Sequence, residues 1–196
     1  MPRIYPKEAP PLRPGKIDDA TLHAIGRLIR ATAEIEDIVD CFIAILAGLS
    51  ETRALIMLGR TAITRRLEIA ETLAKVRTDK AHDVYKEAFP KAFQDLLECR
   101  NAVAHGVLIG ITDENEFAFL TTPTSMTEGE SAKRIVASYN SATIANFADK
   151  AEAMLPWLEE RLQVQEQRAE RLQRPLKPHP KSQDRGHAKP PRPPQS

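Results

Sequence analysis

The sequence predicts a mainly α fold, a helical bundle of about four to six helices with a small β-hairpin or three-strand insertion. Three observations predict it. Apolar residues recur at spacings of three and four through most of the central chain. Aromatics are only 5% of the residues, so Leu, Ile, Val and Ala must do most of the packing, and such a core suits helices better than a β-sandwich. Twelve of the fifteen prolines lie at the two ends, which sets those ends apart from a folded body.

The end prolines are 2, 6, 10, 11 and 14, then 175, 178, 180, 190, 191, 193 and 194. Such segments bury too little apolar surface to offset chain entropy and are expected to be solvated and partly polyproline II. The expected organisation is therefore a disordered N-terminus over 1–16, one helical domain over 17–173, and a disordered tail over 174–196. The domain, roughly 155 residues long, is large enough to bury a core. Pro175-x-x-Pro178 and Pro191-x-x-Pro194 match the minimal pattern read by polyproline-binding modules, a weak signal against plain tail.

Charge is uneven. Residues 1–14 carry +2 and residues 174–196 carry +5, so a net charge of +1 leaves the body at −6. Affinity for polyanions is expected in the tails, and a broad basic nucleic-acid face is not. Cys41 and Cys99 fall at apolar helical positions and read as reduced core thiols, consistent with a cytoplasmic setting. The N-terminus lacks the apolar stretch of a signal peptide. The longest apolar run, around Cys41 to Leu49, is broken by Gly48 and is too short for a membrane span, so no membrane partner is expected.

Asp18 or Asp19 caps a long first helix carrying Leu22, Ile25, Leu28 or Ile29, Ile35, Ile38 or Val39, Phe42, and Ile45 or Leu46, ending near Gly48. Ser50 and Glu51 open a short second helix through Leu55, Ile56 and Leu58, closed by Gly59. Thr61 is a cap candidate for a third with Ile63, Leu67, Ala70, Leu73 and Val76. Asp79 begins a fourth through Val84 and Phe89. Pro90 suits the start of a fifth that carries Phe93, Leu96, Leu97 and Val103 and stops at Gly106. The period then changes. Val107–Thr112 and Phe117–Thr121 are β-rich runs around Asp113-Glu114-Asn115, a hairpin, and Lys133–Tyr139 offers a third strand. Asn140 or Ser141 caps a last helix through Ile144, Phe147, Ala151, Met154, Leu155, Leu158 and Leu162, which Pro156 is expected to kink or divide. The charged run from Arg161 to Arg174 reads as its solvated end.

Chemistry concentrates in Glu98-Cys99-Arg100-Asn101-Ala102-Val103-Ala104-His105-Gly106, where charged, polar and titratable groups crowd a helix end. Asn101 and His105 are four apart and share a face. Arg100 and His105, five apart, lie about 140° around an ideal helix and meet only if the long Arg reaches across a loosened last turn. The unpaired carbonyls of that turn favour an imidazolium. Arg beside a His that exchanges a proton near neutrality is a plausible pair for phosphate chemistry.

Arg-Asn-x-x-Ala-His-Gly at a helix end resembles the signature of HEPN domains: Arg, a polar residue, three arbitrary residues, His. The surroundings are similar too, with a long first helix, a Leu-Gly-Arg stretch before a charged third helix, strands after the His and a long final helix. The resemblance covers roughly Ile17 to Leu172, and only the motif is specific. It implies a metal-independent, cofactor-free endoribonuclease that works as a homodimer, with two motifs facing across a cleft. Arg100 would bind the scissile phosphate. His105 would act as general base or acid, and Asn101 would orient His105 or hydrogen-bond RNA. Attack by the ribose 2′-hydroxyl would leave a 2′,3′-cyclic phosphate and a 5′-hydroxyl. A bacterial toxin or antiviral role, with a protein antitoxin or regulator as partner, is implied by the resemblance alone. Members paired with nucleotidyltransferase antitoxins carry Tyr two residues after the His; Val107 stands there, so control by modification at that site is not expected.

Plainer readings stand beside these. Arg100 and His105 can serve only to satisfy last-turn carbonyls, with Gly106 as a left-handed cap, and the chain can be a non-catalytic dimeric interaction module or a small-ligand sensor. Glu34, Glu36, Asp37 and Asp40 read as a solvated face, or one of them, Asp37 or Glu34, reaches His105. No converging ligand set for a metal is visible in the sequence. Arg60, Arg65 and Arg66 are expected to pair with Glu68, Glu71 and the acidic face rather than with RNA. His23 and His82 read as surface or boundary residues. Ser-His-Asp order, a glycine-rich phosphate loop and Cys-x-x-Cys are all missing from the sequence.

Overall fold

Helix α1 (Asp19–Ala47) begins where the sequence supplies an acceptor for its unpaired amides: the Asp18 carboxylate accepts from the Thr21 amide at 2.8 Å. It ends where Gly48 turns left-handed at φ 67°. Between these caps Leu28, Ala31, Ile35 and Val39 form a fully buried stripe. A computed structural model describes residues 3–5, 11–59, 61–77, 79–121 and 135–173.

Helix α6 (Ser141–Gln173) lies along α1, burying Ile144, Ala148, Ala151, Leu155 and Leu158. Asn140 caps it, its side-chain oxygen accepting from the Thr143 amide at 2.8 Å. Of the two expected effects of Pro156, a kink or a division, the division does not occur: α6 continues through it. Buried Ala151 and Leu155 before the proline and Leu158 after it anchor both halves on one core, which offsets the missing amide. Arg27 of α1 reaches Glu152 and Asp149 of α6, adding a charged staple outside the apolar seam.

The shorter helices α2 (Glu51–Leu58), α3 (Ile63–Arg77) and α4 (Asp79–Ala88) extend the bundle: α2 and α3 pack against α1, and α4 packs against α3. Thr61, expected to cap α3, instead donates its hydroxyl to the Leu58 carbonyl of α2. Helix α5 (Lys91–His105) buries Phe93, Leu96, Leu97, Cys99 and Ala102 between α1 and a sheet.

That sheet contains β1 (Arg3–Tyr5), β2 (Leu12–Arg13), β3 (Val107–Thr112), β4 (Phe117–Thr121) and β5 (Ile135–Tyr139), in order β1-β5-β4-β3-β2 and antiparallel throughout. The expected β3–β4 hairpin forms, with Asn115 in the left-handed region at φ 60°. A bulge between Leu108 and Gly110 re-aims β3; Gly110 has φ 156°, and a side chain there would meet the Arg13 carbonyl at 3.0 Å.

The N-terminus corrects the sequence reading most. Residues 1–16 were expected to be solvated, yet β1 pairs Arg3 with Ser138 and β2 pairs Leu12 with Thr112. The prolines flank these strands without interrupting them, and each strand lies at a sheet edge, where proline is tolerated. The tail over 174–196, with its proline pairs, lies outside the described residues, as does 122–134. The fold is thus mainly α with a small antiparallel sheet. No single helix among the described residues is long and apolar enough to cross a membrane.

Candidate functional site

The buried face of α5 determines where its polar groups emerge. With Leu97, Cys99 and Ala102 inward, Arg100 and Asn101 sit at the edge of the seam and His105 stands exposed at the helix end. The helix stops at His105; the Gly106 amide still donates to the Ala102 carbonyl at 2.9 Å, and the chain runs directly into β3.

Gly106 is not the left-handed cap the plain reading expected. It is extended, at φ −77° and ψ 157°. Glycine is needed there for space: a Cβ would lie 2.3 Å from the Ala102 carbonyl oxygen and 3.1 Å from the Phe119 Cβ. The motif helix thereby docks tightly on β4.

The guanidinium of Arg100 organises the site. Its Nη1 donates to the Asn101 Oδ1 at 2.9 Å and lies 3.3 Å from the His105 Nε2. Because guanidinium nitrogens only donate, that second contact is a hydrogen bond when Nε2 is the bare acceptor and the ring proton is on Nδ1. Nη2 lies 3.0 Å from the Glu36 Oε1 on α1. This last approach is an ion pair without hydrogen-bond alignment: Glu36 Oε1 and Arg100 Nε are both buried and accept or donate no hydrogen bond. The side chains of Arg100 and Glu36 are 17% and 21% exposed, so the pair is partly shielded.

The structure therefore brings Arg100, Asn101 and His105 together through the reach of the long Arg100 side chain, at a helix end that runs unbroken to His105. The Asn101 side-chain oxygen takes a hydrogen bond from Arg100, so it touches the imidazole's neighbour.

The acidic cluster also differs from its sequence reading as a solvated face. Asp40 is buried and takes a 2.7 Å hydrogen bond from Arg66 of α3. Burial pushes its carboxyl above the usual value even against the attraction of Arg66. Glu36 reaches Arg100. Glu34 and Asp37 are exposed, as the solvated-face reading has them, with Glu34 lying 3.8 Å from Arg30. Glu36 is the site residue missed by sequence reasoning. The available signal was Arg100 itself, a cation next to the apolar face of α5 that needs a counter-charge from a neighbouring helix. Arg65 and Arg66 pair with Glu68 and Asp40, as expected of them, while Arg60 lies outside the described residues.

No protein-family model, curated protein or solved structure matches this chain. Its chemistry must be read from the site itself. A guanidinium fixed at a helix end offers a fork for an oxyanion, and an exposed imidazole beside it can carry a proton. Among the described residues, no group of three or more His, Cys, Asp or Glu is placed to hold a metal ion. Cys99 is fully buried, and burial pushes its thiol up to about 12; Cys41 is half-buried and raised, first by burial. A shallow apolar cavity lined by Ile38, Phe42, Tyr85, Phe89, Leu158 and Leu162 lies between α1, α4 and α6, and no motif residue lines it.

Proposed function

We propose that this chain is a metal-independent endoribonuclease of the HEPN type, working in the cytoplasm as a homodimer. The observation that carries the reading is the 3.3 Å approach of Arg100 Nη1 to an exposed His105 Nε2, next to Asn101. Arg100 binds the scissile phosphate and stabilises the charge that builds on its oxygens. The ribose 2′-hydroxyl attacks phosphorus and gives up its proton; the bond to the 5′-oxygen breaks, and that oxygen takes a proton. The products are a 2′,3′-cyclic phosphate and a 5′-hydroxyl. One imidazole can serve one of these transfers at a time, which motivates pairing with the motif of a second copy. A body charge of −6 gives RNA little long-range attraction, so the basic tail over 174–196 is the part suited to collect it. A toxin or antiviral role, with a protein antitoxin or regulator, follows from the HEPN resemblance alone.

Incubation with total RNA in EDTA tests the reading. Wild type cleaves RNA but not DNA, while His105→Ala and Arg100→Ala are inert. Equal inertness of all three proteins refutes it.

One observation favours a second reading, a non-catalytic dimeric interaction module. On α2, Leu55, Ile56 and Met57 stand exposed in succession, the last two at 75% and 73%. So much exposed apolar side chain on one short helix is more typical of contact surface than of a solvated helix. Under this reading the protein is a dimer in solution, and RNA survives its presence.

A further inference from the structure

We propose that Glu36 is a built-in competitor for the phosphate site, a carboxylate occupying the guanidinium of Arg100 that an incoming phosphate must displace. The proposal rests on the reading of Arg100 as the phosphate-binding group.

Three features of the geometry lead to it. First, Glu36 comes from a different helix, α1, and meets Arg100 at 3.0 Å with both side chains mostly shielded from solvent. A carboxylate and a phosphate present the same chemistry to a guanidinium, namely oxygens that accept from a planar fork of donors. Second, the existing pair is poorly matched. Arg100 Nε finds no acceptor, Glu36 Oε1 accepts no hydrogen bond, and both atoms are buried. Nη1 is committed to Asn101 and His105. An oxyanion that engages Nε and Nη2 together satisfies donors that Glu36 leaves idle. Third, Glu36 stands one helical turn from Asp40, another buried carboxylate with an unpartnered oxygen, which Arg66 holds at 2.7 Å. The row Arg66, Asp40, Glu36, Arg100 thus runs cation, anion, anion, cation, each anion held by its own cation. Loss of the Arg100 contact leaves Glu36 without its cation. Glu36 therefore sets the cost of opening the site. It is a positioning residue that acts through Arg100 and takes no part in bond making.

Titration of the full-length protein with inorganic phosphate, followed at the His105 ring by NMR, tests this directly. Wild type binds weakly and Arg100→Ala not at all. Glu36→Gln keeps the shape and removes the charge, and should bind phosphate at least about fivefold more tightly, the gain from removing one charge roughly 4 Å from the anion in bulk water, which partial shielding from solvent increases. In wild type the Glu36 carboxyl carbon shifts over the same phosphate range as the His105 ring, a measurement that needs no variant. Equal or weaker binding by Glu36→Gln, a Glu36 signal that ignores phosphate, or no phosphate binding by either protein overturns the proposal. Binding unaffected by Arg100→Ala instead overturns the assignment of Arg100 on which it rests. Neither result depends on RNA cleavage, so a protein that binds phosphate in this manner but leaves RNA intact refutes the nuclease reading alone.

Discussion

The Asp40–Arg66 pair joins α1 to α3 under conditions in which an ion pair stabilises little by existing but costs much when halved. The side chains are 8% and 15% exposed, and Arg66 Nη1 donates to Asp40 Oδ2 at 2.7 Å. Asp40 Oδ1 is buried without a partner, and burial outweighs the attraction of Arg66 in shifting the carboxyl upward. Desolvation thus consumes most of the Coulombic gain. Arg66→Met strands a buried carboxylate and should cost about 3–5 kcal/mol, the range for removing one partner of a buried pair. Asp40→Leu should cost less, because Arg66 keeps its 2.8 Å bond to the Thr61 carbonyl and can extend its head toward solvent. The double variant should recover most of the loss. Urea denaturation of all four proteins, with a shared slope, reads these differences. If Arg66→Met costs under about 1 kcal/mol and the two single effects simply add, the account of this pair as costly when halved is wrong. Its pH dependence has a defined sign. Asp40's pKa is raised on folding, so its contribution to stability is fully present below the unfolded value of 3.8 and is lost as pH rises through the folded value.

Glu152 should behave oppositely: hydrogen bonds from Arg27 hold its carboxyl below 4.5, so its contribution is present above that value and lost as pH falls through the lowered one. Thermal melts between about pH 3 and 6 should show a shallower acid limb for Glu152→Gln, and an unchanged limb counts against the staple. Gly106→Ala places a methyl against the Ala102 carbonyl and Phe119, and should lower stability by about 2 kcal/mol or more. It should also lower RNA cleavage by displacing His105, and a variant matching wild type in both assays refutes the close-packing argument.

Local signals made most of the fold legible. Asp18 and Gly48 bound α1, the β-rich runs around Asp113–Asn115 give the hairpin, and a spacing of three and four marks the longer helices α1, α3, α5 and α6. Missed features depend on partners distant in sequence. Proline density around residues 3–13 reads as chain entropy, and only the open edges of β3 and β5 convert part of that segment to strand. Pro156 breaks a helix in isolation but not one clamped along α1. The polar positions of α1 look alike on a helical wheel, and only the arrival of α3 and α5 separates buried Asp40 and half-buried Glu36 from exposed Asp37. In the site, the approach of Arg100 to His105 was readable only from the length of Arg100 and its place near the helix end, since the helical spacing alone sets the two apart. Glu36 was not, because its contact crosses between helices.

The two N-terminal strands lie at opposite margins of the sheet, β1 against β5 and β2 against β3. During synthesis, Arg3–Tyr5 are made long before Ile135–Tyr139, the strand with which they pair. They must wait while α1 to α5 are made, and α6, the helix packed along α1, follows only after β5. Closure of this sheet is therefore a late, long-range event: a chain stalled before residue 135 contains the β3 partner of β2 but not the β5 partner of β1.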